Sequence, residues 1–307
     1  MQLNELPESI GQLKQLRKLD LGHDWQKRIE DKNQLTALPD SLGQLTQLTT
    51  LHLSCNQLTA LPDSLSQLIQ LTSLNLSYNQ LATLPDSLSQ LTQLTALDLS
   101  LNQLTALPEW LGGLLILNYL DLYGNQLISL PKSIGNLLSL EHIDLGSNLL
   151  TSLPDEIYQL ANLHQLYHQK NKLSTLSEKV NQLSKINRID LSHNSLTSLP
   201  PSLAQLVYLR ELNLNDNPLN PELAKANEQG LDAVKAYLRA KAESQITLNE
   251  AKLILIGEGE VGKTCLLGAL RGDKWIEGLP TTHGIQIKPI KPSVTFYYCL
   301  YHSIIQN

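Results

Sequence analysis

LTTLHLSCNQLTALPDSLSQLIQ, residues 48–70, is a phrase of 23 residues that the chain repeats with small changes. Its fixed point is an asparagine: Asn33, Asn56, Asn79, Asn102, Asn125, Asn148, Asn171, Asn194 and Asn217 follow one another at intervals of 23. An unbroken period of this length means one supersecondary unit stacked on itself. Within the phrase, Leu48, Leu51 and Leu53 alternate with small polar residues, the period of a short strand with one buried face. Identical strands one turn apart must lie side by side and parallel. Leu58, Leu61, Leu65 and Leu68 then supply the far wall of the core. A buried leucine stabilises by roughly 1.5–3 kcal/mol. These seven leucines offset the ordering entropy only if neighbouring turns cover them, so a single turn would not fold alone.

The polar positions have structural tasks. Asn56 stands where the chain leaves the strand, and its side chain is expected to satisfy backbone groups of its own turn and the next, as a ladder. Leu-Pro-Asp-Ser at 61–64 predicts the start of a short helical or 3₁₀ segment. Pro62 needs no amide partner there, and Asp63 or Ser64 can cap.

The pattern LxxLxLxxNxL followed by xxLPxxLxxLxx resembles the leucine-rich repeat, in the 23-residue form of intracellular proteins, from residue 3 to about 219. The resemblance implies an α/β solenoid with its parallel sheet on the concave side. Departures are informative. The first strand, Leu16-Leu19-Leu21, is in register only if nine residues, Asp24 to Lys32, are inserted before Asn33. In the seventh turn His168 replaces a strand leucine, read as a core or edge histidine and not a ligand, and Ser177 stands where other turns have proline. Met1 falls where the repeat has its asparagine, so an amino terminus further upstream is expected.

Composition narrows the function classes. Cys55, Cys265 and Cys299 are too few and too scattered for a disulfide framework or a zinc site. No signal peptide, cysteine-rich cap or apolar run near 18 residues is visible, which points to the cytosol. Residues 33–165 carry one Lys or Arg, Lys132, against ten acids. Such a surface repels phosphate backbones and argues against direct nucleic-acid binding. The residue between the last two strand leucines faces the concave side: Asp20, His52, Asn75, Asp98, Asp121, Asp144, Tyr167, Asp190 and Asn213. Asp98, Asp121 and Asp144 are then expected about 4.8 Å apart. Tyr78, Tyr119, Tyr123, His142 and His164 lie nearby. Charge spread for solubility accounts for the acids alone. Aromatics among acids suggest a site for a basic or mixed protein partner, formed by Asp98, Tyr119, Asp121, Tyr123, His142 and Asp144.

After Asn217 the phrase ends at Pro218 and Pro221. Residues 221–243 read as a helix with Leu223, Leu231, Val234 and Leu238 on one stripe, capping the last turn. The expected organisation is a solenoid at 1–219, a capping or linking helix at 220–245 and a second unit at 246–307. Ala251 to Ile256 reads as a buried strand, followed by GEGEVGKT at 257–264 and a helix from Lys263 to about Arg271. This fits G-x-x-x-x-G-K-[ST] between strand and helix, the context a phosphate-binding loop requires. Gly257, Glu258, Gly259, Glu260, Val261, Gly262, Lys263, Thr264 and Cys265 would wrap the phosphates, with backbone amides, the lysine and the helix dipole all contributing. Thr264 would ligate Mg²⁺.

The order of parts is similar to the Roco family, in which leucine-rich repeats precede a Roc GTPase domain. That resemblance covers 251 to about 291. It implies GTP or GDP with Mg²⁺ as cofactors, and Thr282 (or Thr281) of PTTHGI, residues 280–285, as a second metal ligand. The Asp-x-x-Gly and Asn-Lys-x-Asp motifs of such GTPases do not occur after Thr282. The closing stretch SVTFYYCLYHSIIQN reads either as a truncated or frame-shifted end or as a short β stub. GTP turnover is therefore not expected of this chain. Two functions remain: a Roco-type GTP-binding signalling protein with a protein-binding solenoid, or a pure interaction scaffold with a vestigial loop.

Overall fold

The computed structural model describes residues 3–22 and 33–248. The chain divides into two units, Met1–Lys241 and Ala242–Asn307. The insert at 24–32, the phosphate-loop motif and everything after residue 248 lie outside the described residues.

The first unit is built as the phrase dictates. Nine three-residue strands form one parallel sheet in sequence order: β1 (Lys18–Asp20), β2 (Thr50–His52), β3 (Ser73–Asn75), β4 (Ala96–Asp98), β5 (Tyr119–Asp121), β6 (His142–Asp144), β7 (Gln165–Tyr167), β8 (Arg188–Asp190) and β9 (Glu211–Asn213). The register is strict, so Leu51, Leu74, Leu97, Leu120, Ile143, Leu166 and Ile189 line up through the centre of the sheet. Each is buried, and its two flanking residues face outward. On the far side of the core each turn runs through a five-residue 3₁₀ segment, such as Asp63–Gln67 or Asp86–Gln90.

The asparagine ladder forms, but it runs backward. Asn79 Nδ2 donates to Leu76 O and Ser77 O in its own turn and to Leu53 O in the preceding one, while its Oδ1 accepts from Leu58 N of that preceding turn. Asn102, Asn125, Asn148 and Asn194 repeat this toward the turn before. The expectation of bonds to the next turn is corrected. From Asn56 onward the residue before each ladder asparagine has a positive φ, as at Tyr78 (φ 54) and Leu101 (φ 55), and this aims the asparagine back over the turn already made.

Capping also differs from expectation. Pro62 itself occupies the N-cap position, and neither Asp63 nor Ser64 makes a side-chain cap. Proline's fixed φ (here −72°) sets the entry angle and it has no amide to satisfy, so a cap is unnecessary. Where proline is missing, Ser177 caps with its hydroxyl, accepting from Lys179 N at 3.3 Å.

The carboxyl side of the sheet is closed by two helices, not one. They are α1 (Pro221–Glu228), capped by Asn220 Oδ1 on Leu223 N, and α2 (Leu231–Leu248). Gly230, at φ 101, separates them, a conformation that favours glycine. Leu223, Val234 and Leu238 are buried against the last turns, while Leu231 is only partly covered. Lys235 reaches in beneath them, its Nζ donating to Leu206 O at 2.8 Å and Leu209 O at 3.2 Å.

Candidate protein-binding face

The two outward positions of each strand form two columns across the exposed face of the sheet. One runs Ala96, Tyr119, His142, Gln165, Arg188, Glu211. The other runs Asp98, Asp121, Asp144, Tyr167, Asp190, Asn213. Because the register is strict, side chains 23 residues apart become neighbours.

Six of these side chains join into one ladder. The rings of Tyr119 and His142 stack with centroids 4.6 Å apart and planes 6° from parallel. His142 meets the Tyr167 ring at 5.3 Å and 48°. The Arg188 guanidinium lies 5.3 Å from the Tyr167 centroid, and its Nε pairs with Glu211 Oε2 at 3.2 Å. His142 Nδ1 and Gln165 Oε1 are 2.8 Å apart, which ties down the middle ring.

The aspartates are first of all turn-formers. Oδ1 of Asp98, Asp121 and Asp144 accepts from the backbone N–H two residues on, at Ser100, Tyr123 and Gly146. Asn75 and Asn213 do the same with an amide oxygen, so the turn needs an oxygen and not a charge. The charge is therefore surplus to folding. Burial, reinforced by Asp121, pushes the Asp144 carboxyl up to about 6. Asp121 is also raised, chiefly by burial and then by Asp98, against the lowering effect of the Tyr123 amide. Tyr119 donates its hydroxyl to Asp121 Oδ2 at 3.3 Å and is raised too, by burial first and then by Asp121 and Asp98.

Of the six residues expected at this site, the structure brings Tyr119, Asp121 and His142 into direct contact or adjacency, with Asp98 and Asp144 on the flanking rungs. Tyr123 lies two residues past the end of β5 and makes no ring contact among the described residues. Gln165, Tyr167, Arg188 and Glu211 complete the ladder. Reading the residue two before each concave position, in the same 23-residue register, would have found Gln165, Arg188 and Glu211. His168 is fully buried among the strand leucines, as a core histidine, with neither ring nitrogen hydrogen-bonded. Among the described residues no group of three or more His, Cys, Asp or Glu is placed to hold a metal ion. No described helix is long and apolar enough to cross a membrane.

A model of the leucine-rich repeat matches residues 31–81 and 70–127, and one of the leucine-rich repeat region matches 105–234. Together they span more than half of the chain. The chain belongs to the leucine-rich-repeat family. A leucine-rich-repeat protein of Leptospira interrogans is 34% identical with a TM-score of 0.61, over 76% of this chain and 63% of that one. The leucine-rich-repeat ectodomain of the membrane receptor kinase GASSHO1/SCHENGEN3 from Arabidopsis thaliana is 33% identical with a TM-score of 0.57. The match covers 71% of this chain and 29% of that one. That ectodomain was solved in complex with Casparian strip integrity factor 2. An internalin of Listeria monocytogenes, 22% identical with a TM-score of 0.58 over 70% of this chain and 59% of that one, shares the fold. The chain thus spans less than two-thirds of each of these leucine-rich-repeat proteins. No curated protein sequence matches it.

Proposed function

We propose that this leucine-rich-repeat chain is a cytosolic protein-binding module, and that the sheet face around Tyr119, Asp121, His142 and Asp144, with Asp98 and Tyr123 at its margins, holds a basic or mixed partner. The observation that carries this is the ring ladder from Tyr119 to Arg188 beside aspartates whose charge the fold does not need. Aromatic and guanidinium side chains on an otherwise polar surface are the residue types that dominate protein interfaces. The acidic balance of residues 33–165 disfavours nucleic acid.

The fuller reading places this module in a Roco-type GTP-binding signalling protein, with a unit at 246–307. Gly257 to Thr264 would cradle the phosphates, and Thr264 and Thr282 would ligate Mg²⁺. What supports it is the motif in its strand–loop–helix sequence context and its position after the repeats. The second reading is a pure interaction scaffold, which the solenoid and its ring ladder support without any nucleotide site.

One measurement tests the face and a second separates the two readings. Tyr119→Ala with Tyr123→Ala should abolish partner capture while circular dichroism stays unchanged. Retention of partners by this variant, with loss only when the 3₁₀ side is altered, would refute the site. Calorimetry with GTP, ATP and a Lys263→Ala control should show at most weak binding that does not distinguish the bases. Without base-reading and Mg²⁺-positioning groups, several charge-assisted contacts of about 1.5–3 kcal/mol each are missing. Submicromolar, guanine-selective, Lys263-dependent binding would overturn the scaffold reading.

A further inference from the structure

The ring ladder has two unlike ends. At the β8 end the Tyr167 ring carries the Arg188 guanidinium, itself tied to Glu211. At the β5 end Tyr119 covers one ring face with His142, lying parallel to it at 4.6 Å. The residue in register on the opposite side is Ala96, whose methyl group gives the other face of the ring nothing to stack on. Beyond Ala96 stands Ser73, also small. The ladder thus stops at a ring with one side open.

The groups beside that opening are anionic. Asp121 Oδ2 takes the Tyr119 hydroxyl, and Asp121 Oδ1 is engaged by Tyr123 N. Asp98 Oδ1 accepts from both the amide and the hydroxyl of Ser100, leaving Oδ2 with no hydrogen-bond partner among the described residues. Among the described residues no Lys or Arg pairs with Asp98 or Asp121. Lys132, the one Lys or Arg between residues 33 and 165, belongs to the 3₁₀ segment Lys132–Asn136, on the far side of the core, and pairs with Glu156 at 3.8 Å. The β5 end therefore offers an aromatic face beside carboxylates, as Tyr167 and Glu211 offer Arg188 at the β8 end, and lacks only the guanidinium.

We infer that the open face of Tyr119, above Ala96, is a subsite for an arginine side chain of the partner, the guanidinium stacking on the ring and pairing with Asp98 and Asp121. The inference rests on the sheet face being the partner surface and names the chemistry of one contact there. Arginine fits better than lysine because its planar group stacks and hydrogen-bonds to carboxylates at once, whereas an ammonium is a compact, strongly hydrated point charge. Burial first, and then Asp98, raise the Asp121 carboxyl, and a guanidinium beside it would work against both.

L-Argininamide is the probe, titrated into the full chain at low salt while the Tyr119 ring resonances are followed by NMR with labelled tyrosine. A saturable shift at Tyr119 is expected, with L-lysinamide at least fivefold weaker. Asp98→Asn should weaken the shift about tenfold. Asparagine forms the same turn bond at Asn75 and Asn213, so the strand exit is preserved. Ala96→Arg should abolish the shift, since its own guanidinium would fill the slot. No saturable shift, equal response to both amides, or a response indifferent to Asp98→Asn would overturn the subsite. If partner capture still depends on Tyr119 and Tyr123 in that event, only the arginine assignment falls. If capture is also indifferent, the reading of the face falls with it.

Discussion

His168 stands in the column Leu122, Leu145, His168, Leu191, one imidazole in a row of leucines. It is fully buried, and neither Nδ1 nor Nε2 has a partner. Burial lowers its pKa from 6.5 to about 4. The unfolded chain therefore takes up a proton as pH falls below about 6.5, while the folded chain does not until about 4. Stability is full above 6.5, declines through that window and levels off below it, a loss of order 3 kcal/mol at about 1.4 kcal/mol per pH unit. Asp144 works in the opposite sense. Its raised carboxyl penalises the charged form, so its cost enters as pH rises from 3.8 toward about 6. Comparing His168→Leu with the parent cancels Asp144, which both share. The leucine variant should be more stable at pH 7 by about 1–3 kcal/mol, the scale of a buried unsatisfied polar group, and its advantage should grow between pH 6.5 and 4. Urea melts at pH 7, 5.5 and 4.5 measure this, and a constant difference across the three would show that His168 is not buried neutral.

At the scale of the element, the 3₁₀ segments show why a departure in one turn travels to the next. The fourth position of these segments is small in most turns, as Gly43, Ser66, Ser89, Gly112 and Gly135. At Gly43, Gly112 and Gly135 an added Cβ would run into the backbone of the following turn. Tyr158 holds this position in the segment Asp155–Gln159 and is almost fully buried. Burial raises its hydroxyl pKa, and the backbone N–H of Ser177, at the entry to the next segment, works against that rise. Proline, the residue used there in other turns, has no N–H to give. Ser177→Pro should therefore destabilise by about 1–3 kcal/mol, although φ of −70° would suit proline and its stiffness alone would favour folding. In a Tyr158→Phe background the same change should cost far less, and a double-mutant cycle without coupling would refute the link. The sequence read alone shows the missing proline but not its cause, because Tyr158 and Ser177 become neighbours only once turns are stacked. The same limit applied on the sheet face. Periodicity sufficed for the strands, their parallel order and the central leucines. Arg188 and Gln165 joined the site through contacts between strands that no single turn contains.

Across the whole molecule the two ends of the sheet are finished differently, and a one-dimensional stack should register that in its local stability. In the first turn Leu3, Leu6, Leu16, Leu19 and Leu21 are only partly covered, and Leu13 is half exposed. At the other end Leu209 and Leu214 are buried, and α1 and α2 bring Leu223, Val234 and Leu238 over the last turns. Lys235 supplies two donors to the carbonyls of Leu206 and Leu209, which would otherwise end in apolar surroundings without partners. Its ammonium is lowered from the usual lysine range by burial first and then by Arg239, so part of the gain is spent on desolvation. Native-state hydrogen exchange should therefore show low protection through β1, a rise toward β4–β6, and only a shallow fall toward β9. Equal protection at β1 and β5 would contradict nearest-neighbour stacking as the source of stability. Lys235→Met keeps the apolar stem and removes the donors. It should lower protection by about 1–3 kcal/mol in β8, β9 and α1 while leaving β1–β4 unchanged, because each turn contacts only its neighbours. A loss spread evenly over all nine strands would mean that the stack unfolds as one cooperative block, and that the ends do not set local stability.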